Sequence, residues 1–156
     1  MTCIFCDIIA GKLAGSFVYR DDRVAAFMDI QPVNAGHVLV VPINHAVGLE
    51  DLKKEDGEAV FAAAQRVARA LRKSGLRCEG VNLFLADGEA AMQEVFHLHL
   101  HVFPRFAGDG FGLKFSEAYS QKPPWASLEA GALAISDALK TEPNQALQPT
   151  APSGRG

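Results

Sequence analysis

Runs of apolar residues divide the chain into a short helix, a set of strands, one long helix and a second set of strands. Val60, Phe61, Ala64, Val67, Ala68 and Leu71 recur with helical period, so a long amphipathic helix is predicted over residues 53–74, closed by Gly75. Ahead of it, residues 2–10 predict a short helix with Thr2 as N-cap and Gly11 as its stop. Cys3 and Cys6 then lie one turn apart on one face. Phe17-Val18-Tyr19-Arg20 and Val24-Ala25-Ala26-Phe27-Met28, separated by Asp21-Asp22, read as a hairpin that leaves Asp29 at a strand end. Asn34-Ala35-Gly36 signals a turn, residues 37–42 an apolar strand ended by proline, and His45 falls in the loop beyond. After the long helix, residues 81–85 predict a strand, Asp87-Gly88 a turn, and residues 95–103 a strand ended by Pro104.

Tight turns between strands, with only one long helix among them, predict an antiparallel α+β domain and not a doubly wound parallel sheet. The pattern weakens after Phe106, where Gly108, Gly110 and Gly112 punctuate a loop; a last helix is predicted over residues 127–139. The expected organisation is a domain over residues 1–110, an extension over 111–140, and a tail over 141–156. That tail, rich in proline and small polar residues, has almost nothing to bury and is expected to be disordered.

Composition narrows the partners. A net charge of −3 with scattered lysine and arginine offers no electropositive face for a polymeric nucleic acid, though a single nucleotide needs none. No basic leader opens the chain and no apolar run approaches a membrane span, so a cytoplasmic protein is expected. Three cysteines cannot pair completely, and the Cys3-x-x-Cys6 spacing suits a metal or a redox pair better than a structural bridge.

Three of the five histidines, His97, His99 and His101, alternate within five residues. In a strand they share one face while Phe96, Leu98, Leu100 and Val102 point into the core, so the row is presented in a pinned register. Two chemistries fit such a row. Neutral imidazoles can converge on one ion that activates water, which would make a zinc hydrolase. Alternatively, one imidazole attacks phosphorus while its neighbours fix its tautomer. The spacing leaves both open.

His97-Leu98-His99-Leu100-His101-Val102-Phe103 resembles the signature of the histidine triad (HIT) superfamily of nucleotide hydrolases and transferases. The opening Cys3-Ile4-Phe5-Cys6-Asp7-Ile8-Ile9-Ala10-Gly11 is similar to that of bacterial members, as are Ala26-Phe27-Met28-Asp29-Ile30-Gln31-Pro32 and the segment from Gly36 through Pro42 to His45. The resemblance covers roughly residues 3 to 106. It implies a five-stranded antiparallel sheet, usually in a homodimer, and a nucleotidyl-histidine intermediate. It further implies catalytic residues His99, His101 and Gln93, with His99 the nucleophile at an α-phosphate. Asp29, Asn82, Gln93 and His101 are the implied substrate contacts, Asp29 at the ribose hydroxyls and the others at the phosphate. Cys3, Cys6, His45 and His97 are the implied ligands of a structural zinc, which needs no part in the chemistry. Cys78 is expected to be an ordinary thiol, and His37 a structural residue.

Two positions depart from the family pattern. Met92 stands where glycine usually precedes the glutamine, which could crowd a phosphate. Glu94 places a carboxylate where the purine phosphoramidase branch has serine or threonine. Met92 also keeps a nucleotide-binding module without turnover among the readings.

Overall fold

The computed structural model describes residues 3–142, and the expected N-cap Thr2 and most of the expected tail lie outside them. Helix α1 (Ile4–Ile9) is followed by strands β1 (Phe17–Arg20), β2 (Val24–Met28) and β3 (Val38–Pro42). Helix α2 (Lys54–Leu71), strands β4 (Gly80–Leu85) and β5 (Leu100–Arg105), and helix α3 (Trp125–Thr141) complete the order. All five strands join one antiparallel sheet in the order β1-β2-β3-β5-β4, an α+β architecture. Contacts divide the chain into two units, one ending at Phe111 and one beginning at Gly112; the second carries a short 3-10 turn, Glu117–Ser120, and α3.

Strands β2 and β3 read VAAFM and VLVVP because both faces of the sheet are covered. Val24, Ala26, Val38, Val40, Leu100 and Val102 meet Val60, Ala64, Val67 and Leu71 of α2 on one face. Ala25, Phe27, Leu39 and Val41 meet Phe5 and Ile9 of α1 on the other. His101 stands opposite Leu39 in the ladder, so it belongs to the α1 face.

Several boundaries differ from the sequence reading. Cys3, not Thr2, caps α1, its Sγ accepting the Cys6 amide at 3.5 Å. After Leu71 the chain tightens into i→i−3 bonds, with Lys73 N donating to Ala70 O and Ser74 N to Leu71 O. The expected strand over 95–103 begins only at Leu100. A close turn from His97 N to Val95 O breaks the run, and Pro42, which faces the stretch before Leu100, has no N–H to extend the ladder. His97 and His99 therefore precede the strand. Phe96, expected in the core, is 45% exposed, whereas Leu98, Leu100 and Val102 are buried as expected. At the other end β5 runs through Pro104 to Arg105, because pairing with β3 ends at Val102 and the proline's missing donor faces no strand. Asn34 Nδ2 takes the Pro104 carbonyl on that side at 2.9 Å.

Gly36 makes the turn into β3 with φ +102°, and a Cβ there would stand 2.9 Å from Leu76 and 3.0 Å from Leu71. Gly36→Ala should therefore combine a backbone penalty with overpacking, costing about 2–4 kcal/mol in urea unfolding; a loss under about 1 kcal/mol would contradict this account.

Candidate active site and metal centre

Hydrogen bonds to the backbone decide the state of each imidazole. His99 is 6% exposed, and its Nδ1 lies 2.7 Å from the His97 carbonyl. A carbonyl only accepts, so Nδ1 carries the proton and Nε2 keeps its lone pair. The ring of Phe5 stands edge-on to His99 at 5.2 Å between centroids.

A second chain of bonds sets His101. Val33 N donates to His37 Nδ1 at 3.1 Å, which puts the proton of a neutral His37 on Nε2. That Nε2 lies 2.9 Å from His101 Nδ1, so it donates there and leaves the His101 proton on its own Nε2. Burial, with the His99 and His37 rings nearby, pushes His101 down to about 4 against the partial opposition of Asp29. Burial likewise lowers His37, again opposed by Asp29. Both rings are thus neutral at pH 7. Asp29 Oδ2 lies 3.5 Å from His37 Nε2 and 3.8 Å from His101 Nδ1, while Oδ1 accepts the Gln31 amide at 2.8 Å.

His37, expected to be a structural residue, is buried and hydrogen-bonded directly to His101. Its neighbour Leu39 pairs with His101 across the ladder, so the three side chains share one face. Only the pairing of β3 with β5 brings His37 to His101, and nothing local in the sequence signals it.

Asp29 also lines a cleft of about 650 Å³ against α1, walled by Ile4, Phe5, Ile8, Phe27 and Leu39. Glu94 and Val95 also line it, and no lysine or arginine is among its lining residues. Its apolar walls suit a flat heterocycle, and the Asp29 carboxylate suits hydroxyls.

Two expected phosphate contacts have protein partners of their own. Asn82 pairs opposite Phe103, two residues along the ladder from the Phe84–His101 pair, and its Oδ1 accepts from Arg105 Nη1 at 2.7 Å. It belongs to a network in which Arg105 Nη2 also binds Asp109 Oδ1 at 2.8 Å, and the guanidinium holds the Asp109 carboxyl well below the usual range. Gln93 is 4% exposed and fully engaged with backbone. Its Oε1 accepts from Gly88 N at 2.8 Å, and its Nε2 donates to Val47 O at 2.6 Å and Val95 O at 3.2 Å. Both amide protons are spent, so Gln93 braces the loops before the histidines and has none free for a phosphate. Met92 explains the family's glycine: with φ 71° and ψ 29° it is the one non-glycine at positive φ among the described residues, and it is 72% exposed. The side chain points to solvent and does not fill the cleft.

Cys3, Cys6, His45 and His97 bring one ligand atom each within 4.8 Å of one another. His97 Nδ1 lies 3.4 Å from Cys3 Sγ, 3.5 Å from Cys6 Sγ and 3.3 Å from His45 Nδ1; Cys6 Sγ lies 3.4 Å from His45 Nδ1. A tetrahedral shell with Zn–S of about 2.3 Å and Zn–N of about 2.0–2.1 Å requires separations of about 3.3–3.8 Å, which these match. His97 Nε2 donates to the Pro42 carbonyl at 2.9 Å, leaving Nδ1 as the ligand nitrogen. Burial, followed by the Cys3 side chain, pushes the Cys6 thiol up, so a cation is what would draw its proton away.

Asp29, His37 and His101 also cluster. The Val33 amide on His37 Nδ1 forces the proton onto the very nitrogen a metal would need, so this group is a hydrogen-bond relay and not a metal site. Among the described residues no such cluster contains His99, and the three alternating histidines are not gathered around one point.

The model of the HIT domain matches residues 11–108. Protein hit of Bacillus subtilis is 43% identical over 111 residues, covering 70% of this chain and 76% of its own. The crystal structure of a HIT family protein from Bacillus anthracis superposes with a TM-score of 0.80 at 36% identity, over 88% of this chain and 96% of that one. A zinc-bound histidine triad family protein from Mycobacterium smegmatis gives a TM-score of 0.69 at 39% identity, over 89% and 98% of the two chains.

Because His37 and His101 are held neutral below their ordinary value of 6.5, an unfolded chain binds more protons than the folded one in acid. Stability contributed by these rings is complete above about pH 6.5 and should fall as pH drops toward 4. Urea midpoints should decline over that interval and decline less in His101→Gln; equal slopes would contradict the assignment.

Proposed function

The chain belongs to the HIT domain family, and on that premise we propose that it is a nucleotide hydrolase or nucleotidyl transferase working through a nucleotidyl intermediate on His99. The observation that carries this reading is the bond from His99 Nδ1 to the His97 carbonyl, which leaves the Nε2 lone pair free to attack; Phe5, edge-on to His99 at 5.2 Å, is itself in the wall of the cleft. The base and ribose occupy the cleft against α1, with Asp29 accepting the ribose hydroxyls. His99 Nε2 attacks the α-phosphorus, an N–P bond forms, and the bond to the leaving atom breaks; the leaving group takes a proton from water. His101 Nε2–H donates a hydrogen bond to a phosphoryl oxygen as charge redistributes. Water then attacks phosphorus, releases the nucleoside monophosphate and restores the lone pair of His99.

Phosphoramidates, dinucleoside polyphosphates and related conjugates share this chemistry. Asp29 and Glu94 line the cleft with no lysine or arginine to offset them, and the relay histidines are neutral, which favours a phosphoramidate over a polyphosphate. Gln93 favours a second reading, a nucleotide-binding module without turnover, since this expected phosphate donor is engaged elsewhere. Cys3, Cys6, His45 and His97 are the proposed ligands of a structural zinc, a closed shell with no vacancy for substrate. Strand β4 supports a homodimer: it is an edge strand, GVNLFL, without charge or proline to block a second copy. Three free cysteines agree with a reducing cytoplasm, and no described helix is long and apolar enough to cross a membrane.

Incubation with adenosine 5′-phosphoramidate should release AMP and, on acid-free quenching, yield a chain heavier by one adenylyl group. His99→Ala should lose at least about a thousandfold in kcat with the fold intact. AMP binding with no adduct and no turnover of any conjugate in a panel would select the binding module instead. Metal analysis should find one zinc per chain, abolished in the double variant Cys3→Ser with Cys6→Ser while α2 and the sheet remain folded; zinc retained by that variant would refute the ligand set.

A further inference from the structure

The metal ligands and the proposed nucleophile meet at two places. One is His97 itself, whose ring faces the two thiols and whose backbone carbonyl receives the proton of His99 Nδ1. The other is Phe5. It lies between Cys3 and Cys6 in sequence and is 7% exposed on the sheet face that carries the histidines. Its ring stands edge-on to His99 at 5.2 Å and 80°, and to His97 at 5.9 Å and 72°.

We propose that Phe5 is a positioning residue for His99, through which the ion held by Cys3, Cys6, His45 and His97 fixes the orientation of the nucleophile. The inference rests on the roles proposed above for those residues. Helix α1 spans six residues, too few to persist without anchors, and its buried side chains are Phe5 and Ile9. Binding of both thiols pins the first turn, and Phe5 is pinned with it. The ring is then a fixed wall beside His99, which keeps the imidazole aligned with the His97 carbonyl. If His99 turns away from that carbonyl, nothing any longer selects its Nδ1–H tautomer, and the fraction with a free Nε2 falls. The ion thereby governs the nucleophile without touching substrate. Aromatic edges are directional, so an aliphatic side chain of similar bulk fills the space without setting the angle.

Imidazole ¹H–¹⁵N spectra of the zinc-loaded protein, recorded without substrate, read the His99 tautomer directly. Wild type should show one Nδ1–H form. Phe5→Leu, with its zinc content verified as unchanged, should show a mixture and form the adenylyl adduct about tenfold more slowly at saturating adenosine 5′-phosphoramidate. Chelated wild type should show the same mixture. Val60→Ala, a packing loss on α2 away from the site, should leave both the spectrum and the rate as in wild type. A single wild-type tautomer in both Phe5→Leu and the chelated protein, with a rate within twofold, would overturn the proposal. The ring spectrum needs no turnover, so a failure of the nucleophile reading, seen as activity surviving in His99→Ala, remains distinct from a failure of this one.

Discussion

One hydrogen bond fixes the tautomer on which the proposed chemistry depends: the 2.7 Å contact between His99 Nδ1 and the carbonyl two residues earlier. An imidazole has two nitrogens of nearly equal basicity, and in water its tautomers exchange freely. A buried carbonyl removes that freedom because it can only accept. The same logic repeats at His37, where a backbone amide can only donate, and passes from there to His101. Backbone groups, which cannot change protonation, thus dictate the state of three side chains that can.

Such control requires the backbone near the histidines to be rigid and dry. The sheet supplies this by being covered on both faces, by α2 on one and by α1 on the other. His97 and His99 stand before the β5 ladder, where Pro42 has ended pairing, so the His97 carbonyl is released from strand bonding and serves the His99 ring instead. Gln93 ties the preceding loop to Val47, Gly88 and Val95, and the Leu98 amide donates to Ala46 at 2.7 Å. Irregular backbone at this point is therefore braced, and the brace is part of what makes the site usable.

Met92 shows the cost of departing from a pattern that geometry demands. A left-handed conformation costs a residue with a Cβ on the order of 1 kcal/mol more than glycine, while the side chain itself is turned to solvent. Glu94, by contrast, is in the wall of the cleft, where its charge acts on any anion that enters. The two departures act on different things: one on backbone strain, the other on electrostatics.

By itself the sequence determined the strands, the long helix and the antiparallel α+β class, because apolar period and turn residues are local signals. It also singled out Cys3, Cys6 and the alternating histidines, since their spacing is written in a single short segment each. Only the tertiary structure decided that His37 belongs beside His101, that Asn82 serves Arg105, and that Gln93 is spent on backbone. Those facts depend on which strand pairs with which, and on which donor reaches which acceptor. Pairing partners far apart in the chain leave no periodicity to read; they exist only once the sheet has closed.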